Sequence, residues 1–220
     1  MTVTIHGVHR SRALRNFWLI EEIGLPVVSV PVIQAYRLSD PHAPDAPLNT
    51  RTPDFLALSP AGSIPVMTDG DLVLTESLAI NLYIARIHGG DLGPRTPAED
   101  ALMQAAALDA VTAIEPHSIP IFYAHVEGRT ATPEGAAEVA AHARALERPL
   151  ARLEAHFAAH DFLIGDRFTV ADINLAENLR YAQAHPTLIP GYPALDRWLR
   201  TCQARPAFQV VWGRRNAEPV

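Results

Sequence analysis

The sequence predicts two structural classes in series: a small mixed α/β domain over residues 1–87 and an all-helical domain over residues 99–220, joined by a linker at 88–98. Three observations predict it. Strand-type and helix-type signals alternate through the first part in the order βαβ, loop, ββα. From His88 to Ala98 the composition turns to Gly, Pro and Asp, as in a linker. Beyond it only helical patterns remain, including Ala-rich stretches of high helix propensity such as Gly135 to Leu146.

Each element has its own signal. Val3 to His6 is a short β-type run, followed by a loop from Gly7 to Arg10. From Arg12 to Ile23 the residues Leu14, Phe17, Trp18, Ile20 and Ile23 recur at helical spacing, and Gly24-Leu25-Pro26 is a stop. Val27 to Ile33 reads as a second strand that Pro31 confines to an edge or ends early. Residues 34–53, rich in Pro, Asp and Asn, predict a loop with at most a short helix. Ile64 to Thr68 and Leu72 to Thr75 flank Asp69-Gly70, a hairpin signal because both turn residues tolerate positive φ. Ser77 to Ile87 predicts a helix. Further helices are expected at 99–126, 133–160, 169–184 and 193–204.

Composition closes off several chemistries. All 18 basic residues are arginine, so Schiff-base chemistry and a Walker-type phosphate loop lack their lysine. Cys202 is the one cysteine, which excludes a dithiol relay and an intrachain disulfide. A net charge of −6 argues against a general nucleic-acid binder. No apolar run approaches the roughly 18 residues that would predict a membrane span. Strand-like residues follow Met1 almost at once, leaving no room for a signal peptide, so a cytoplasmic protein is expected.

Phe168-Thr169-Val170-Ala171-Asp172-Ile173 is the sharpest local motif. Thr169 at the N-cap and Asp172 three residues on can satisfy each other's amides, with Phe168 and Ile173 at the staple positions. Its meaning is folding rather than chemistry. Ser11, where a strand meets a helix, is the first place for chemistry: a helix N-terminus stabilises an anion, although capping alone also explains a serine there. Ile64-Pro65 is either an ordinary strand start or a cis peptide that exposes the Ile64 backbone to an extended peptide ligand. Glu76 and Ser77 are either a polar strand end and a cap or, together, a clamp for a group carrying both an ammonium and a carboxylate. His156 and His160 lie four apart, without the third ligand a metal site needs, so no metal is expected. Cys202 reads as a small buried hydrophobe, and Gly62-Ser63 lacks a nucleophile elbow.

Five stretches in this order carry a family resemblance: S-R-A-L-R-N-F-W-L-I-E-E-I-G-L-P (11–26), F-L-A-L-S-P-A-G-S-I-P-V-M (55–67), L-T-E-S-L-A-I-N-L-Y (74–83), F-T-V-A-D-I (168–173) and Y-P-A-L-D-R-W (192–198). Over nearly its whole length the chain resembles the cytosolic glutathione transferase superfamily, in a serine-type, bacterial-like form. The resemblance implies a thioredoxin-like N-terminal domain, an all-α C-terminal domain and a homodimer. It implies that Ser11 stabilises the thiolate of glutathione, the cosubstrate. Ile64 would pair through its backbone with the cysteinyl part, Pro65 would be the family's cis-proline, and Glu76 and Ser77 would hold the γ-glutamyl head group. Asp109 resembles a position that reaches that head group in the partner subunit. The thiolate would attack a small hydrophobic electrophile, with Phe122 and Tyr123 as aromatic pocket candidates that serve equally well as core. No tyrosine or cysteine lies in the first twenty residues, which excludes the tyrosine-type and cysteine-type arrangements. Ser63 stands where many relatives carry a longer polar side chain, and the loop from Gln34 to Thr52 matches no class. The alternatives are a non-catalytic binding protein of the same fold, or an isomerase, dehalogenase or peroxidase that uses the same thiolate.

Overall fold

The computed structural model describes residues 2–219. By contacts the chain forms two units, one running to Gly90 and taking in the segment from Pro206 onward, the other spanning Asp91–Arg205.

The first unit is built on a four-stranded sheet: β1 (Thr4–His6), β2 (Val28–Val30), β3 (Val66–Asp69) and β4 (Leu72–Thr75), in the spatial order β2-β1-β3-β4. β1 and β2 are parallel, with Thr4 opposite Val28, so the chain must cross over between them. Helix α1 (Leu14–Ile23) is that crossover, and it buries Leu14, Phe17, Trp18, Leu19 and Ile20. At its end the Gly24 and Leu25 amides both donate to the Ile20 carbonyl, as the stop signal implies. β2 ends at Val30 because Pro31 has no N–H to offer a ladder. The β3–β4 hairpin turns one residue later than the Asp69-Gly70 reading: Asp69 still pairs with Leu72, leaving Gly70 (φ 58°) and Asp71 as the turn.

Helix α3 (Ser77–His88) packs on α1 across a buried amide pair. Asn16 Nδ2 donates to the Asn81 Oδ1 at 2.7 Å and to the Ser77 carbonyl at 2.8 Å, while Asn81 Nδ2 donates to the Arg15 carbonyl at 3.1 Å. Two helices of this unit escape the sequence reading. α2 (Pro53–Leu58) buries Phe55 beside Val32 and Val66. The last helix of the chain, Pro206–Ala217, lies against α1, with Phe208 and Val211 buried and the Phe208 ring edge-on to Trp18 at 4.8 Å.

The second unit is helical throughout: α4 (Pro97–Asp109), α5 (Glu115–Val126), α6 (Pro133–Ala159), α7 (Val170–Leu179) and α8 (Pro193–Gln203); the helix from Pro206 is then α9. The continuous helix expected over 99–126 widens into a π-turn at Ala110–Ile114. Pro116 and Pro120 follow it closely, and each lacks the amide that a regular helix needs and crowds the preceding turn. The run expected over 169–184 tightens to a 3-10 turn after Leu179. Thr96 and Thr132 cap α4 and α6, accepting from the Glu99 and Gly135 amides at 3.1 Å each.

The Thr169–Asp172 capping box is present. Asp172 does more than cap: Oδ2 accepts from the Thr169 amide (2.9 Å) and hydroxyl (3.1 Å), and Oδ1 accepts from the Leu163 amide (2.9 Å) and Trp198 Nε1 (3.1 Å). One buried carboxylate thus joins the start of α7 to the preceding loop and to α8. Burial pushes the Asp172 carboxyl above its ordinary range, and these four donors oppose the shift. Arg167 ties the segment before α4 to it, with Nε on the Asp91 carbonyl (2.7 Å), Nη2 on the Gly93 carbonyl (2.8 Å) and a bidentate grip on Glu99. Cys202 is buried on α8.

Candidate functional site

The loop from β1 to α1 is folded tightly. A Cβ built on Gly7 would stand 2.9 Å from the Ala13 Cβ, so the residue before the loop must be glycine for the loop to lie this close to the helix start. His6, just before it, is pushed down by burial and is uncharged at neutral pH. Ser11 sits three residues before the first residue of α1, and Ala13 rather than Ser11 occupies the cap position. The Ser11 hydroxyl accepts from the Ala13 amide at 3.0 Å and donates to the Val8 carbonyl at 2.7 Å. Its part in starting the helix is therefore a local turn rather than an N-cap. The next amides are satisfied in tight turns: Leu14 on the Ser11 carbonyl (3.2 Å), Arg15 on that of Arg12 (3.3 Å) and Asn16 on that of Ala13 (3.0 Å).

Ser11 opens on a cleft of about 320 Å³ that lies wholly in the first unit. Ile64, Ser63 and Gly62 form one part of its lining; Arg12, Gln34, Tyr36, Thr50 and Arg51 form the rest. The Ile64-Pro65 peptide is cis, and Ile64 lies outside the β3 ladder, which begins at Val66. The cleft brings together Ser11 and Ile64 from the residues singled out in the sequence. It also adds Arg12, Gln34, Thr50 and Arg51, which the sequence did not flag, since the loop that carries three of them has no periodic pattern. Gln34 Nε2 donates to the Arg10 carbonyl at 3.2 Å, while its Oε1 is buried with no hydrogen-bond partner among the described residues.

Glu76 has φ 68°, the one non-glycine positive φ among the described residues. Such a conformation costs on the order of 1–3 kcal/mol and concentrates at ligand clamps. Its carbonyl accepts from the Ile80 amide at 2.9 Å, so it stands at the cap of α3 with its side chain exposed. Ser77 is the first residue of α3, not its cap. Its buried hydroxyl accepts from Arg15 Nη1 at 3.1 Å.

The remaining candidates lie in the second unit. Asp109 ends α4, and its carboxylate is paired with Arg152 of α6. Phe122 and Tyr123 are neighbours on α5, their rings edge-on at 5.5 Å, with Phe122 also edge-on to Tyr181. Tyr123 is exposed and Phe122 half-buried, so neither is simply core. His156, read as a helix-face residue, has Nε2 2.9 Å from the Phe162 carbonyl. No helix among the described residues is long and apolar enough to cross a membrane.

Known proteins resemble this chain over most of its length. Residues 10–87 match the family model "Glutathione S-transferase, N-terminal domain", and residues 102–206 match "Glutathione S-transferase, C-terminal domain". Glutathione S-transferase 3 of Zea mays is 39% identical over 171 residues, which is 72% of this chain and 74% of that protein. The apo structure of a glutathione S-transferase III superposes with a TM-score of 0.78 at 32% identity, covering 100% of both chains. The theta class glutathione S-transferase of Xanthomonas axonopodis pv. citri, solved with glutathione bound, gives a TM-score of 0.77 at 32% identity over 95% of this chain and 96% of that one.

Proposed function

The chain belongs to the glutathione S-transferase family and is a glutathione transferase, and we propose that it works by holding the glutathione thiol as a thiolate at Ser11 for attack on a small hydrophobic electrophile. The observation that carries this reading is a serine hydroxyl and the Ile64 backbone, next to cis-Pro65, lining one cleft. The cysteinyl backbone of glutathione pairs with Ile64, which leaves its sulfur to Ser11. Glu76 and Ser77 take the γ-glutamyl head group, with the strained backbone at Glu76 aiming that carboxylate outward. Arg12 and Arg51 supply cations for a carboxylate of the tripeptide, a role that fits guanidinium geometry. They offset the short Ser63. Phe122 and Tyr123 offer an aromatic surface to the electrophile. In a homodimer, Asp109 reaches the partner's head group only by sharing its carboxylate with Arg152. The reading includes a cytoplasmic setting and no metal.

The hydroxyl sets the energetics. A serine has one proton to donate, and here the Val8 carbonyl holds it. Binding the thiolate means swinging that proton to sulfur while the Ala13 amide goes on donating to the oxygen. A hydrogen bond to an anion is worth about 1.5–3 kcal/mol, and the neutral bond given up about 0.5–1.5. The helix end adds about 0.3–1 kcal/mol, toward the low side because its first amides are already satisfied. The balance is close to ~2 kcal/mol, enough to bring a thiol from about 8.5 down to roughly 7. About half of bound glutathione is then thiolate at neutral pH.

The test is conjugation of a model electrophile by the parent and by Ser11→Ala across pH. We expect kcat/KM of the variant near neutral pH to fall by on the order of tenfold, with the loss shrinking at high pH where any thiol ionises. Equal rates at every pH would remove Ser11 from the mechanism.

A further inference from the structure

The mechanism leaves the end of the described chain unused, and the structure gives it a specific contact. Helix α9 is already docked on α1 by Phe208 and Val211 and by Arg214, which pairs with Glu21 at 2.7 Å. Past the helix, Glu218 reaches the β1–α1 loop and uses both carboxylate oxygens there. Oε1 accepts from the His9 amide at 2.8 Å and lies 2.9 Å from His9 Nδ1, and Oε2 accepts from the Arg10 amide at 2.8 Å. Arg10 answers with Nε on the Glu218 carbonyl (3.0 Å) and Nη2 on the Asn216 carbonyl (3.3 Å). Burial alone would raise the Glu218 carboxyl, but the donors of His9 and Arg10 hold it below its ordinary range.

Two consecutive amides on one carboxylate fix the orientation of two successive peptide planes. These planes, Val8–His9 and His9–Arg10, stand one peptide before Ser11. The loop is held on its other sides as well, by the His9 ring stacked on Phe17 at 4.2 Å and by Gln34 Nε2 on the Arg10 carbonyl. Docking of α9 needs none of this, because its apolar face and the Arg214 pair already supply it. The contact constrains the loop more than the helix.

We propose that Glu218 is a positioning residue for the transferase reaction: its carboxylate fixes the backbone of residues 8–11 so that the Ser11 hydroxyl is aimed at the glutathione sulfur. The proposal rests on the reading of Ser11 given above. Glu218→Gln keeps the shape but turns an amide group toward one of the loop amides. Arg10→Met releases the same segment from the loop side. Arg214→Gln breaks the ion pair of α9 without touching the loop.

The experiment measures kcat and KM for glutathione against pH in the full-length protein, with each substitution made alone and Glu218→Gln also combined with Ser11→Ala. For Glu218→Gln the ionisation seen in kcat, which reports the glutathione-bound enzyme, should move upward, with activity at neutral pH down about five- to tenfold and KM changing less. Arg10→Met should move it the same way by less, and Arg214→Gln should leave it in place. In the Ser11→Ala background Glu218→Gln should have no further effect. An unmoved profile in Glu218→Gln, an equal shift in Arg214→Gln, or a loss that persists without the Ser11 hydroxyl would each overturn the proposal. If Glu218→Gln does not fold, the presence or absence of a shift in Arg10→Met decides. If Ser11→Ala itself moves nothing, the reading of Ser11 falls and takes this inference with it; if Ser11→Ala shifts the profile and Glu218→Gln does not, only this inference falls.

Discussion

Removing the Asp172 carboxylate should be among the most destabilising single changes in the second unit. Asp172 is fully buried and accepts four hydrogen bonds, two on each oxygen. Capping alone would make Asp172→Ala cost about 1 kcal/mol. The structure raises that figure, because the substitution also strands the Leu163 amide and the Trp198 Nε1–H beside the Thr169 amide. Each buried donor without an acceptor costs about 1–3 kcal/mol. Some of that sum is returned, since the carboxylate itself is held against its desolvation, as its upward shift indicates. A net loss of about 3 kcal/mol follows for Asp172→Ala. Asp172→Asn keeps one acceptor oxygen and turns its amide group toward the other pair of donors, for a loss of about 2 kcal/mol. In a chain of 220 residues, 3 kcal/mol corresponds to a fall in Tm of about 6–12 °C. Denaturant unfolding followed by circular dichroism and by the fluorescence of the three tryptophans, Trp198 among them, measures it. A change below about 0.5 kcal/mol for Asp172→Ala would refute the reasoning, since it would mean that the donors find other partners at no cost.

Two further outcomes follow from the same kind of reading. The Arg167 guanidinium, with help from the Arg95 amide, holds the Glu99 carboxyl at about 2, below its ordinary 4.5. Its contribution to stability is therefore fully present above about pH 4.5 and is lost as pH falls through about 2, so Glu99→Gln should lower stability at pH 7 and flatten the fall in stability across that window, the two proteins converging near pH 2. Gly7→Ala would bring a Cβ to 2.9 Å from the Ala13 Cβ. The helix start or the loop must then shift, with a loss of about 1–3 kcal/mol in thermal unfolding and, on the proposed mechanism, a fall in kcat/KM at neutral pH.

The sheet and its crossover were legible because their signals are local. The apolar run at Ile64 to Met67, the periodicity of Leu14, Phe17 and Trp18, and the Gly70 turn each act within a few residues, and the structure displaces the turn by a single position. Helix α2 was not legible, since six residues are too few to show a period of 3.6. Nor was α9: its apolar residues Val210, Val211 and Trp212 are consecutive, and only a docked α1 chooses which of them is buried. The same division runs through the cleft. Ser11 and Ile64-Pro65 announce themselves by a strand–helix junction and a strand start. The lining from Gln34 to Arg51 is set by an isolated bridge between Ile33 and Asn49 and by Asn49 Nδ2 on the carbonyls of Pro41 and Pro47, contacts that no local pattern encodes. Glu218 meets His9 across a sequence separation of 209 residues, beyond the reach of any reading along the chain.

Whether Ser11 holds the thiolate is decided by titrating the thiolate absorbance of bound glutathione in the parent and in Ser11→Ala. We expect an apparent thiol pKa of roughly 7 in the parent and a value at least about one unit higher in Ser11→Ala, approaching that of a free thiol near 8.5. Coincident titration curves with glutathione saturating both proteins would contradict it.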